Sequence, residues 1–265
     1  MEKLQGVADT LFIPLAARIY VSKRFPEYFY DETALALENT LPIGEIQNSS
    51  SEYFMMASVA RYYHMDAITK AFIATHGICN IVNLGAGLET ACSRIGHTSA
   101  IFYEADLPEV IERRKAILPP KENEVLLGGD LFALEWVRAI DTSLPTLFLA
   151  SGVFQYFHEV QILQLISGLK TVFPNGELLF DATTEKGLRS ANRYVKKTGN
   201  TDAMMYFFVD DCRSFAQKSN TILLDYRPFF TEARKMPGKK LTLYTRIAMK
   251  IVDERGLGKI IHLKL

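Results

Sequence analysis

Cysteine is scarce in this chain: three in 265 residues, Cys79, Cys92 and Cys212. An odd number with no Cys-x-x-Cys spacing excludes a disulfide framework and predicts reduced, buried thiols. No cluster of Cys and His has metal-ligand spacing, so no metal is expected. Net charge is also missing, since thirty basic residues balance thirty acidic ones. That balance gives no general push toward nucleic acid or an anionic membrane, and neither is expected as a partner. No apolar run reaches the about 20 residues that cross a bilayer. The start, Met1 to Gln5, is charged and lacks the apolar centre of a secretion signal. Internal repeats and low-complexity tracts are absent too. A soluble, cytoplasmic protein is expected.

What is present points to one large α/β domain. Apolar residues make up 48% of the chain, enough for a sizeable core. Residues 1–77 read as helices that form a cap, and residues 78–265 as the core. Ser49 and Glu52 form a candidate capping box for a long helix. That helix carries Phe54, Met65, Ile68 and Phe72 on one stripe, with Arg61 among them. Strands are expected at 78–84, 99–105, 125–127, 146–150, 177–181, 221–224 and 259–265. Helices are expected at 88–95, 131–140 and 158–173, and across 184–218 with a polar break at Lys197–Thr201. Alternation of strands and helices predicts a doubly wound, mostly parallel, Rossmann-like sheet. The last strand is expected at an edge or inserted antiparallel.

The stretch Ile78–Glu104 reads as a nucleotide-binding unit. An apolar run stops at Gly85-Ala86-Gly87, and a second run ends in Glu104 and Asp106. In such a sheet, ligands bind beyond the carboxyl ends of the strands. The ends of the first four strands bring Gly85 and Gly87, Glu104 and Asp106, Asp130, and Ser151 to one crevice. Asp106 follows Gly85 by 21 residues, a spacing that suits an acid on ribose hydroxyls. A dinucleotide fingerprint needs a third glycine, and that position is Thr90. The ligand expected is therefore S-adenosylmethionine rather than NAD. Asp130 can accept from the adenine amino group, and Leu131 can pack on the base. Arg61 can meet the methionine carboxylate. Plainer roles stay open: a simple turn at the glycines, a helix cap at Asp106 or Asp130, close packing at Ser151, and a guanidinium that snorkels to water at Arg61.

The ordered set Asn83-Leu-Gly-Ala-Gly-Leu-Glu-Thr, Tyr103-Glu-Ala-Asp-Leu-Pro, Gly129-Asp-Leu and Leu149-Ala-Ser-Gly-Val-Phe resembles the leucine carboxyl methyltransferase superfamily. Phe12-Ile-Pro-Leu-Ala-Ala-Arg and Ala60-Arg-Tyr fit its tetracenomycin-type, polyketide-synthesis branch. The resemblance implies a class I S-adenosylmethionine-dependent methyltransferase with an N-terminal helical lid. It also implies cofactor contacts at Arg61, Gly85, Asp106, Asp130 and Leu131. Members that methylate a protein C-terminal leucine carry glutamate where this chain has Ser151, which favours a small-molecule acceptor. The expected reaction is methyl transfer to a carboxylate or hydroxyl of a small apolar metabolite. The alternatives are a protein C-terminal carboxylate as acceptor, or a module that binds the nucleoside without catalysis. His64, one turn beyond Arg61, is the candidate base. Tyr156 is a second catalytic candidate, and Tyr156 and His158 can line the acceptor pocket. Tyr194 and Met204–Phe208 form either an apolar wall or ordinary core. Nothing in the residues specifies an oligomeric state.

Overall fold

The computed structural model describes residues 11–41, 43–197 and 204–265. The N-terminal Met1–Gln5, almost all of the expected polar break at Lys197–Thr201, and the side chains of Ser49 and Tyr194 lie outside what is described. Seven strands form one sheet: β1 (Asn80–Leu84), β2 (Ile101–Asp106), β3 (Glu124–Gly128), β4 (Thr146–Ala150), β5 (Glu177–Thr183), β6 (Ile222–Pro228) and β7 (Gly258–Lys264). Their order is β3-β2-β1-β4-β5-β7-β6. The first five run parallel, and β7 is antiparallel to both β5 and β6. The expected doubly wound sheet is therefore present. Of the two expected places for the last strand, it takes the inserted one. The edge falls to β6, whose Ile222 and Tyr226 are 63% and 51% exposed.

Every residue of β1 and β4 is buried, as befits strands covered on both faces. Side chains alternate between two apolar layers. Ile81, Leu147 and Leu149 face one layer, with helices α1 (Phe12–Arg24), α4 (Glu52–His76) and α11 (Leu243–Glu254). Val82, Phe148 and Ala150 face the other, with α7 (Glu159–Val172) and α9 (Cys212–Lys218). The remaining helices are α2 (Glu32–Ala36), α3 (Ile43–Ser49), α5 (Ala91–Ile95), α6 (Pro108–Ile117), α8 (Glu185–Lys197) and α10 (Thr231–Lys235). Among the described residues, no helix is long and apolar enough to cross a membrane.

Three local expectations change. Ser51, not Ser49, caps α4, because Ser49 still belongs to α3; the Ser51 hydroxyl accepts from the Phe54 N–H at 3.2 Å. Phe54 leaves the apolar stripe and is 41% exposed. The helix expected at 131–140 shrinks to one tight turn, Glu135–Ala139. Its start is broken in two ways: the Asp130 carboxylate accepts from the Phe132 N–H at 2.9 Å, and Leu134 sits at φ 57°.

Candidate functional site

A cleft of about 570 Å3 opens at the carboxyl ends of the first four strands. Seven residues named from sequence line it: Gly85, Gly87, Asp106, Asp130, Leu131, Ser151 and Tyr156. Leu11, Pro14, Arg18 and Tyr62 of the N-terminal helices and their approach close the other side.

The glycines are required by both backbone and space. Gly85 and Gly87 have φ of 64° and 50°, where a side chain is strained. A Cβ on Gly85 would stand 2.6 Å from a Val153 methyl. The turn is held to the end of β2, since Gly85 and Ala86 both donate to the Ala105 carbonyl, at 2.8 and 3.1 Å. Asp106 accepts from the Gly87 N–H at 2.8 Å and from the Leu107 N–H at 2.7 Å. Burial pushes its carboxyl upward, against the pull of those two bonds. The Ser151 hydroxyl is buried and has no hydrogen-bond partner among the described residues.

Arg61 stands directly behind Gly152, whose Cβ, if present, would lie 3.1 Å from the guanidinium. Its contacts are long: Asp181 at 3.6 Å and the Ser58 hydroxyl at 3.4 Å, with Nε unpartnered among the described residues. Asp181, two residues before the end of β5, also accepts from the Gly152 N–H at 2.5 Å. The sequence reading took Asp181 only as the end of a strand, although strand-end position was the signal used for the other acids.

Arg61, Glu104, His64 and His158 are not among the residues that line the cleft. Glu104 lies beneath the floor, fully buried, and accepts from the Asn83 side chain at 3.0 Å. Successive side chains on a strand point to opposite faces, so Glu104 and Asp106 point alike; Asp106 reaches the cleft only because the strand ends there. Burial pushes the Glu104 carboxyl up to about 8, with Arg114 opposing and Glu124 adding. His64 turns away from the site. Its Nε2 meets the Phe229 carbonyl at 3.1 Å, and burial holds its pKa down. A position three residues beyond Arg61 is rotated about 60° around the helix, enough to send the imidazole toward the segment before α10. His158 is exposed at the start of α7, its ring 4.5 Å from that of Tyr206. Of the expected wall, Phe207 is core, whereas Tyr206 and Phe208 are exposed.

A buried polar network was missed altogether. Arg18 and Arg94 meet Asp31, Glu89 and Asp66, joining α1, the start of α2, and α4 to the loop after β1. Thr90 is its node. Its hydroxyl donates to Asp31 at 2.6 Å, accepts from Arg94 at 2.7 Å and accepts from Arg18. That exhausts a hydroxyl's bonding capacity. The residue that replaces a dinucleotide site's third glycine thus ties the N-terminal helices to the core.

Several known proteins resemble this chain. A model of the leucine carboxyl methyltransferase family matches residues 12–170. The tetracenomycin polyketide synthesis O-methyltransferase TcmP of Streptomyces glaucescens is 24% identical over 202 residues, 75% of each chain. A DUF574 family protein from Streptomyces avermitilis superposes with a TM-score of 0.58 at 14% identity, over 94% of this chain and 96% of its own. An S-adenosylmethionine dependent methyltransferase from Mesorhizobium loti gives 0.52 at 16% identity, over 75% and 96%. At such identities the two structures speak for the fold alone.

Sheet order, cleft and family match together define a class I S-adenosylmethionine-dependent methyltransferase. The family match spans more than half of the chain, and the chain belongs to the leucine carboxyl methyltransferase family.

Proposed function

We propose that this methyltransferase acts on oxygen, and that its acceptor is a carboxylate on a small, largely apolar metabolite. One observation carries the choice of carboxylate: no histidine is among the described residues that line the cleft. Of the titratable groups that do, Glu89 is taken by Arg94 at 2.7 Å and the Tyr62 phenol is pushed up by burial. A carboxylic acid with a pKa of about 4 is already ionised at neutral pH and needs no base, whereas a phenol near 10 does. The tetracenomycin relative, an O-methyltransferase of polyketide synthesis, lends support to a small acceptor. The mainly apolar cleft walls agree with it.

In this reading Asp106 takes the ribose hydroxyls, since each of its oxygens keeps a free lone pair after its backbone bond. Asp130 and Leu131 flank the adenine. Arg61 meets the methionine carboxylate, which would replace its two long contacts with a short charged one. Gly85, Gly87 and Ser151 leave room. When bound, S-adenosylmethionine supplies a methyl group already activated on a sulfonium. The chain's task is then to align the acceptor oxygen and exclude water, and orientation alone can contribute several kcal/mol. Helices α1–α4 act as a cap, with Tyr62 and Arg18 on its inner face.

A hydroxyl acceptor is the second reading, favoured by the Tyr156 side chain that lines the cleft and can relay a proton. A panel of aromatic carboxylic acids, the matching phenols and a peptide C-terminus, assayed for S-adenosylhomocysteine release from pH 6 to 9, separates these. Methylation of the acids with kcat flat from pH 6 to 8 is expected. Turnover of phenols alone, rising with pH, overturns the carboxylate assignment; turnover of the peptide alone overturns the small acceptor.

A further inference from the structure

We infer that Arg18 and Arg114 are positioning residues for the loop after β1: reaching it from different elements, they hold the carbonyls of Leu88 and Gly87 and so fix the loop in its cofactor-binding shape. The inference rests on the methyltransferase reading, and adds two residues to which that reading assigns no contact with cofactor or acceptor, one of them, Arg18, on the cleft wall.

The sequence reading left both arginines without a task. Arg114 lies in the last turn of α6, yet its side chain is 1% exposed, as is that of Arg18. Arg114 donates to the Gly87 carbonyl at 3.0 Å. Arg18, from α1, donates to the Leu88 carbonyl at 2.6 Å. In a helix those carbonyls would bind the N–H groups of Ala91 and Cys92. The arginines take them instead, and α5 starts only at Ala91, later than the helix expected at 88–95. Gly87 is held on both sides, because its N–H goes to Asp106 at 2.8 Å. Each arginine thus sets one peptide plane of the loop, and through Gly87 the orientation of the Asp106 carboxylate.

Acids hold the arginines in turn. Arg114 meets Glu124 at 2.7 Å and Glu104 at 3.9 Å; Arg18 meets Asp31 at 3.1 Å and Glu89 at 3.7 Å. Buried ion pairs are a poor source of stability, since apolar replacements often do as well. A task in shaping the loop explains two of them side by side. Arg18 also makes the loop's shape depend on α1, so seating of the N-terminal helices and cofactor affinity become one event.

The test uses Arg18→Lys and Arg114→Lys. Lysine keeps the charge, but its single nitrogen lacks the fork that spans a carbonyl and an acid together. S-adenosylhomocysteine affinity, Tm and amide hydrogen exchange are measured on the whole chain. Met249→Ala serves as the control, because Met249 is fully buried on α11, in the apolar layer shared with α4, and does not line the cleft. A loss of tenfold or more in affinity is expected for each lysine variant, with faster exchange confined to residues 85–90. The control is expected to lose Tm and keep its affinity. A change below fivefold in both lysine variants, or an equal loss in the control, overturns the inference. If a lysine variant does not fold, Thr90→Val, which removes the hydroxyl that receives Arg18, is judged by the same fivefold line. A wild type that binds no S-adenosylhomocysteine overturns the methyltransferase reading instead.

Discussion

Two buried ionic networks flank the loop after β1, and they are built differently. On the side of the N-terminal helices, Arg18 and Arg94 face Asp31, Glu89 and Asp66. On the core side, Arg114 alone faces Glu104 and Glu124. Burial pushes Asp31 and Glu89 up, yet two guanidiniums outweigh it and both end below the usual carboxylate range. Glu104 has only a share of one guanidinium, at 3.9 Å against the 2.7 Å that Glu124 enjoys, and burial wins. Asp66 meets Arg94 alone and is pushed up by burial as well, so the two acids held down are the two that both guanidiniums reach.

The largest test of that contrast is Arg94→Ala. It leaves Asp66, now at 2.8 Å, without its guanidinium, and leaves Glu89 and Asp31 with Arg18 alone, at 3.7 and 3.1 Å. A loss of about 3–5 kcal/mol in urea unfolding at pH 7 is expected, the usual cost of stranding buried charge. Glu104→Gln comes next and runs the other way. Between the ordinary carboxylate pKa and about 8, the folded chain holds a proton on Glu104 that the unfolded chain has released, so wild-type stability falls as pH rises through that window. Glutamine does not titrate, and the variant is expected to gain on wild type with pH, by about 2–4 kcal/mol at pH 9. A stability gap that stays constant from pH 5 to 9 would place the Glu104 charge wrongly.

Asp31→Asn probes the opposite window. Because Asp31 is depressed, its stabilisation is present above the unfolded pKa of about 4 and lost as pH falls through the folded one. A cost of about 1.5–3 kcal/mol at pH 7 that shrinks as the pH falls below the unfolded pKa is expected in guanidinium titrations. The smallest effect belongs to the exposed Arg189–Glu185 pair at 2.5 Å, where Arg189→Ala should cost under about 0.5 kcal/mol. A larger cost there would make distance, rather than burial and partner count, the governing variable.

The two networks also mark where sequence reading stops. Strands β1 and β4 are legible because both faces are buried, so each reads as an unbroken apolar run. Gly85, Gly87, Asp106, Asp130, Leu131 and Ser151 are legible because a strand end fixes where a residue goes. His64 is not, since its direction is set by a partner far along the chain, Phe229, 165 residues away; Glu104 is not, since it stands two residues before the end of β2 and so lies under the floor. Arg18 hides among apolar neighbours on α1 and finds Thr90 only across 72 residues. The helix expected at 131–140 fails for a local reason: Asp130 and Leu134 prefer turn geometry to helical bonds.

The cofactor site itself is tested most directly by calorimetric titration of S-adenosylhomocysteine into wild type, Arg61→Ala and Asp106→Ala, with NAD as the competing ligand. Binding to wild type is expected, weakened by more than about 1.5 kcal/mol in Arg61→Ala through loss of a charged hydrogen bond, and by at least as much in Asp106→Ala. Unchanged affinity in both variants, or a wild type that binds NAD and not S-adenosylhomocysteine, would contradict it.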